Sequence, residues 1–84
     1  MKHTIIIERK AKKFIESQSK DQQKRLILAI NNLPMGDIKT LQATKDVFRL
    51  RVGDYRIIFK KQDDVLTITI VDVGNRGQIY KSYR

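Results

Sequence analysis

The run Val-Phe-Arg-Leu-Arg-Val-Gly-Asp-Tyr-Arg-Ile-Ile-Phe-Lys at residues 47–60 constrains the fold more than any other stretch. Phe48, Leu50 and Val52 alternate with Arg49 and Arg51, the period of a strand with one apolar face. Gly53-Asp54 is a natural two-residue hairpin loop, in which glycine supplies a positive φ. Such a loop sets Val52 against Tyr55, Arg51 against Arg56, Leu50 against Ile57 and Phe48 against Phe59. One face becomes a packed apolar layer. The other carries Arg51 opposite Arg56, with Arg49 two residues along. Like charges directly opposite in a sheet cost roughly 0.2–1 kcal/mol. A polyanion is the natural partner to neutralise them.

The rest of the chain reads as a frame around this hairpin. Thr4 to Ile7 is β-branched and predicts a first strand. Glu8 to Glu16 predicts a short helix with Ala11, Phe14 and Ile15 inward. Ser17 to Lys20 is polar and breaks that helix. Ser19 with Gln22 three residues later fits a capping box, opening a second helix over Asp21 to about Leu33. Leu26, Ala29, Ile30 and Leu33 form its inner stripe. Asn31-Asn32-Leu33-Pro34 stops it, because proline disfavours a helical residue before it. Met35 to Asp46 reads as a connecting loop punctuated by Gly36.

After the hairpin, Gln62-Asp63-Asp64 predicts a turn. Val65 to Val73 predicts a strand with Leu66, Ile68 and Ile70 toward the helices. The tail from Gly74 to Arg84 opens with a turn and carries Tyr80 and Tyr83 among basic residues. The order β-α-α-β-β-β implies an α+β, two-layer sandwich: an N-terminal strand plus an antiparallel β-meander, covered on one face by a helical hairpin. Residues 1–84 read as a single domain with a small core.

Composition narrows the chemistry. Eighteen lysines and arginines against nine acids give a net charge of +9, which points to nucleic acid, an acidic protein, or both. With no cysteine there is no thiol or disulfide chemistry. A single histidine, His3, builds neither a metal site nor a serine-nucleophile site, so no cofactor or metal is expected. No apolar run approaches the ~20 residues of a membrane span, and Ile5-Ile6-Ile7 is too short for a signal-peptide core. A cytoplasmic setting away from membranes is the expectation. Asp54 and Asp63-Asp64 read as turn residues rather than an acid–base pair. What remains is Arg49, Arg51, Arg56 and Arg76 with Tyr80 or Tyr83. A strand's outer face is ordinarily polar, so these arginines equally suit a solvated basic face. Read functionally, arginine forks grip phosphate oxygens and a tyrosine ring stacks on a base.

The complete signature is Arg-Leu-Arg-Val-Gly-Asp-Tyr-Arg-Ile-Ile-Phe, then Val-Asp-Val-Gly-Asn-Arg, then Ile-Tyr. It closely resembles the RelE/ParE superfamily of bacterial type II toxins, over nearly the whole chain. RelE-like members are endoribonucleases that cut messenger RNA, typically in the ribosomal A site. The resemblance implies paired basic residues at Arg49 and Arg51, a scissile-phosphate contact at Arg56, a further basic group at Arg76, and a tyrosine at Tyr80 that stacks on or orients a base. Tyr83 rivals Tyr80, because Arg76 and Tyr80 stand close together in sequence. Some members carry lysine where this chain has Arg49 and Arg51. Arginine keeps its proton, so these two suit charge stabilisation rather than proton transfer.

The resemblance also implies a cognate antitoxin, with messenger RNA and the ribosome as targets and DNA contacted only through the antitoxin complex. Two other readings stand beside it. ParE-like members inhibit DNA gyrase, and in that case the arginines form a binding surface. A non-catalytic RNA- or ribosome-binding module needs the same basic groups.

Overall fold

A computed structural model of the chain describes residues 4–33, 35–40, 47–61 and 67–77. The elements in chain order are β1 (Thr4–Ile7), α1 (Arg9–Glu16), α2 (Lys20–Asn31), β2 (Asp37–Thr40), β3 (Val47–Val52), β4 (Tyr55–Lys61) and β5 (Thr67–Asn75). The strands form one sheet in the order β1-β5-β4-β3-β2. From β2 to β5 each strand pairs antiparallel with the next, and β1 joins β5 in parallel. The parallel partners β1 and β5 are distant in sequence, with α1, α2 and the strands β2 to β4 all between them, and the helices carry the chain from β1 to β2 at the opposite edge of the sheet.

The α+β two-layer arrangement agrees with the sequence reading, with one added element. Residues 37–40 form an edge strand inside the predicted loop. Ile38 is half-buried against the core and its neighbours Asp37, Lys39 and Thr40 are exposed. One apolar residue among polar ones carries almost no periodic signal. The strand exists because β3 offers it a row of backbone partners.

Both helices form where local chemistry favours them. Ala11 and Ile15 are buried one turn apart on α1, with Phe14 packed beside them. The Ser19 side chain caps α2 by accepting from the Gln22 amide at 3.4 Å. Leu26, Ile30 and Leu33 then bury one face of this segment against the sheet. The core closes on Leu50, Ile57, Phe59, Ile68, Ile70 and Val73. Phe48 stacks on Phe59 at 5.5 Å between ring centroids. Tyr55 meets Phe14 edge-on, and its hydroxyl donates to Gln18 Oε1 at 2.8 Å. Burying each large side chain of this set is worth roughly 1.5–3 kcal/mol.

The strand β5 departs from simple alternation. Its core residues run Ile68, Ile70 and then Val73, a step of three. A register shift between Ile58 and Phe59 absorbs the extra residue: Ile58 faces Asp72, whereas Phe59 faces Ile70. The irregularity therefore sets Asp72 and Gly74 beside Ile58 and Arg56 on the face away from the helices. The strand also runs on to Asn75, past the predicted end at Val73.

Candidate functional site

The β3–β4 hairpin adopts the register its sequence predicts, with Arg51 opposite Arg56, Leu50 opposite Ile57 and Phe48 opposite Phe59. Gly53 has φ +58° and Asp54 after it has no positive φ, so glycine occupies the first central position of the loop, as a type II′ turn requires. With Leu50, Ile57 and Phe59 committed to the core, parity sends Arg49, Arg51 and Arg56 to the opposite face. The edge strand adds Asp37 beside Arg51 and Lys39 beside Arg49. On the other flank Gly74 lies opposite Arg56 and brings no side chain. One row across the sheet thus reads Asp37, Arg51, Arg56, Gly74, and the next reads Lys39, Arg49, Ile58, Asp72.

This face is less open than the sequence suggests. Arg56 is only 6 % exposed, and Ile58 and Asp72 are buried. A buried guanidinium is tolerated when its donors are spent. Arg56 Nη1 donates to the carbonyls of Gly53 at 2.8 Å and Tyr55 at 2.9 Å. The hairpin turn therefore holds this cation in a fixed orientation. Arg51 beside it is exposed.

Few acids oppose this charge. Asp37 reaches Arg49 Nη1 only at 4.0 Å and is itself mostly exposed, so that pair contributes little. Asp72 is engaged by Lys10 of α1, whose Nζ lies 2.9 Å from Oδ2. Arg76 follows the end of β5, and its amide donates to Asp54 O at 2.7 Å, which ties it to the tip of the same hairpin. Arg49, Arg51, Arg56 and Arg76 thus come from three separate segments to one end of the sheet. Tyr80 and Tyr83 lie outside the described residues, as do His3, Pro34, the Asp63-Asp64 turn and Leu66.

Sequence reasoning missed Lys39, whose strand was read as loop, and Arg25, which α2 brings against Gly53. No local pattern marks either one. Among the described residues no group of three histidine, cysteine, aspartate or glutamate side chains is placed to hold a metal ion. No described helix is long and apolar enough to cross a membrane. What this arrangement offers chemically is permanently protonated donors set in register beside Gly74, which brings no side chain.

The model for the ParE toxin of the type II toxin-antitoxin system parDE matches residues 5–80. No curated protein matches the chain. Among solved structures, RelE in the archaeal RelE–RelB complex from Pyrococcus horikoshii OT3 is 25 % identical, with a TM-score of 0.76 over 93 % of this chain and 99 % of that one. In the RelB–RelE complex from Methanococcus jannaschii, the similar chain is also 25 % identical, with a TM-score of 0.72 over 94 % and 99 % of the two chains. The isolated E. coli RelE toxin shares the fold at 15 % identity, with a TM-score of 0.65 over 95 % of this chain and 93 % of that one.

Proposed function

Because this chain belongs to the ParE toxin family of type II toxin-antitoxin systems, within the RelE/ParE superfamily, we propose that the Arg49/Arg51/Arg56/Arg76 face makes it the endoribonuclease kind of toxin. Its substrate is messenger RNA, cut on the ribosome at the A site. The observation that carries this reading is Arg56. It is buried, anchored through Nη1 to two turn carbonyls, opposed by Arg51 and flanked by the side-chain-free Gly74. A donor fixed before substrate arrives stabilises developing charge without reorganising.

In this mechanism the RNA supplies its own nucleophile. The 2′-hydroxyl oxygen attacks the adjacent phosphorus in line, and the bond from phosphorus to the 5′-oxygen of the next nucleotide breaks. The 2′-hydroxyl proton leaves to a base, and the departing 5′-oxygen takes up a proton. The products are a 2′,3′-cyclic phosphate and a 5′-hydroxyl. Arg51 and Arg56 hold the non-bridging oxygens as negative charge builds on the phosphorane. Arg49 and Lys39, in the adjacent row, hold the neighbouring backbone. Arg76 closes the site at the hairpin tip. Tyr80 is the proposed base-stacking and proton-handling group, on the strength of the family resemblance, and Tyr83 is its competitor. Arginines do not exchange protons readily, so the site depends on the ribosome to fix the message's geometry.

A RelB-type antitoxin is the proposed partner, since similar chains occur in RelE–RelB complexes. DNA is then reached through the antitoxin and not through this chain. A second reading has its own support: the matching family model is that of the ParE toxin, whose branch inhibits gyrase. The short helices, 8 and 12 residues, favour the nuclease branch, because ParE-like hairpins run longer.

A cell-free translation reaction with mapped message ends, run beside a gyrase supercoiling assay, separates the two. Cuts confined to translated message, abolished by Arg56→Ala, support the nuclease. Intact message with blocked supercoiling moves the chain to gyrase inhibition.

A further inference from the structure

Beyond the open face, we propose that Arg25 of α2 is a contact for an RNA backbone phosphate at the tip of the β3–β4 hairpin, extending the strand's path past the sheet edge. This rests on the RNA-substrate reading above and adds a residue that the sequence signature does not include. The geometry is specific. A Cβ placed on Gly53 would lie 2.6 Å from Arg25 Nη2 and 3.0 Å from both Cζ and Nη1. The guanidinium therefore rests on the glycine, and any other residue would displace it. Gly53 also needs its positive φ, so one residue serves the turn and seats the cation.

Three arginines converge on this two-residue loop. Arg25 lies against Gly53, Arg56 Nη1 donates to Gly53 O, and the Arg76 amide donates to Asp54 O. Arg25 is exposed, and among the described residues it forms neither a hydrogen bond nor an ion pair. All five of its N–H donors remain to be spent. A planar fork with unspent donors, on the same glycine whose carbonyl holds Arg56 Nη1, fits a phosphate oxygen pair. Lysines and arginines that bind backbone phosphate add affinity without reading sequence.

The test uses the full chain and a single-stranded 2′-O-methyl RNA oligonucleotide, which cannot be cleaved through its 2′-oxygen. Binding is followed by fluorescence anisotropy across a salt series. For Arg25→Ala and Arg25→Gln, the slope of log K against log salt is expected to be shallower by about 0.7, the value of one phosphate contact on a single strand. Arg25→Lys retains the charge and restores most of the slope, which a purely structural role would not produce. Unchanged slopes in both neutral variants, with wild type steeply salt-dependent, overturn the Arg25 assignment and leave the site reading intact. Absence of salt-dependent RNA binding by wild type overturns the RNA reading itself.

Binding to ribosomes then identifies the RNA. A defect on message-free ribosomes assigns the phosphate to ribosomal RNA, and a defect only with message bound assigns it to the message. Both outcomes support the contact. Weakened binding to a poly-glutamate peptide with unchanged RNA binding overturns it in favour of an acidic protein.

Discussion

The two faces of the β3–β4 hairpin are built from alternate residues of the same strands, yet they satisfy opposite demands. Toward the helices, Leu50 pairs with Ile57 and Phe48 with Phe59, and each apolar group meets another. Away from the helices, Arg51 meets Arg56, like charge against like, with Asp37 on the other side of Arg51. The first face is complete within the chain. The second sets like charges side by side. Because the period of a strand is two residues, selection for a core on one side also fixes the spacing of the cations on the other. The core is therefore the scaffold that holds the arginines at one register.

Substitutions break this comparison from either side. The largest stability effect is expected on the apolar face. Phe59→Ala removes a ring that is 1 % exposed and stacked on Phe48. It should cost about 3–5 kcal/mol, seen as a large fall in the midpoint of chemical denaturation. A loss under 1 kcal/mol would show that the apolar layer does not hold the hairpin.

Arg56→Ala strikes the other face. If the nuclease proposal holds, cleavage in the translation assay should fall by about 10²–10³, the usual effect of removing one preorganised donor. Arg56→Lys should recover little, since a point charge cannot both bond the turn carbonyls and fork toward phosphate. Undiminished cleavage in a folded Arg56→Ala variant would remove Arg56 from the site.

The features legible in the sequence are those set by near neighbours. Hairpin register, glycine in the turn and the Ser19 cap all depend on contacts a few residues apart. The features that were not legible depend on distant pairing. Asp37–Thr40 becomes a strand only because β3 lies alongside it. The register shift in β5 is visible only once Phe59 and Ile70 are seen to be paired. Likewise, the alternation that places Arg56 on the outer face says nothing of its being 6 % exposed. Burial of a charge is a property of the assembled site, with turn carbonyls folded back to receive it. The tyrosine expected at the site, Tyr80 with Tyr83 as its rival, follows from the family signature alone, and both lie outside the described residues.

A smaller effect tests the support beneath both faces. Ser19→Ala removes the α2 cap, a 3.4 Å bond at an exposed helix start. It should cost about 0.5–1 kcal/mol, the weaker part of the range for such caps. Ser19→Asp should recover it, because a carboxylate accepts the same amide bond and favours the positive end of the helix dipole. If Asp and Ala variants melt together, the cap contributes nothing and the helix start is held by packing alone.

The smallest expected change has the most telling sign. Arg51→Thr removes one member of the directly opposed cationic pair, and threonine suits a strand. If repulsion across the pair is an unrelieved cost in the free protein, the variant should be more stable by roughly 0.2–1 kcal/mol. Raising salt screens charges near the surface, so the difference should shrink in high salt as wild type gains stability. The same substitution should reduce message cleavage. Increased stability together with reduced activity would mean that the arginine is kept for its ligand. If Arg51→Thr instead loses stability at low salt, Asp37 in the neighbouring strand already neutralises the pair. The cationic face would then be complete within the chain, and the contrast between the two faces would disappear.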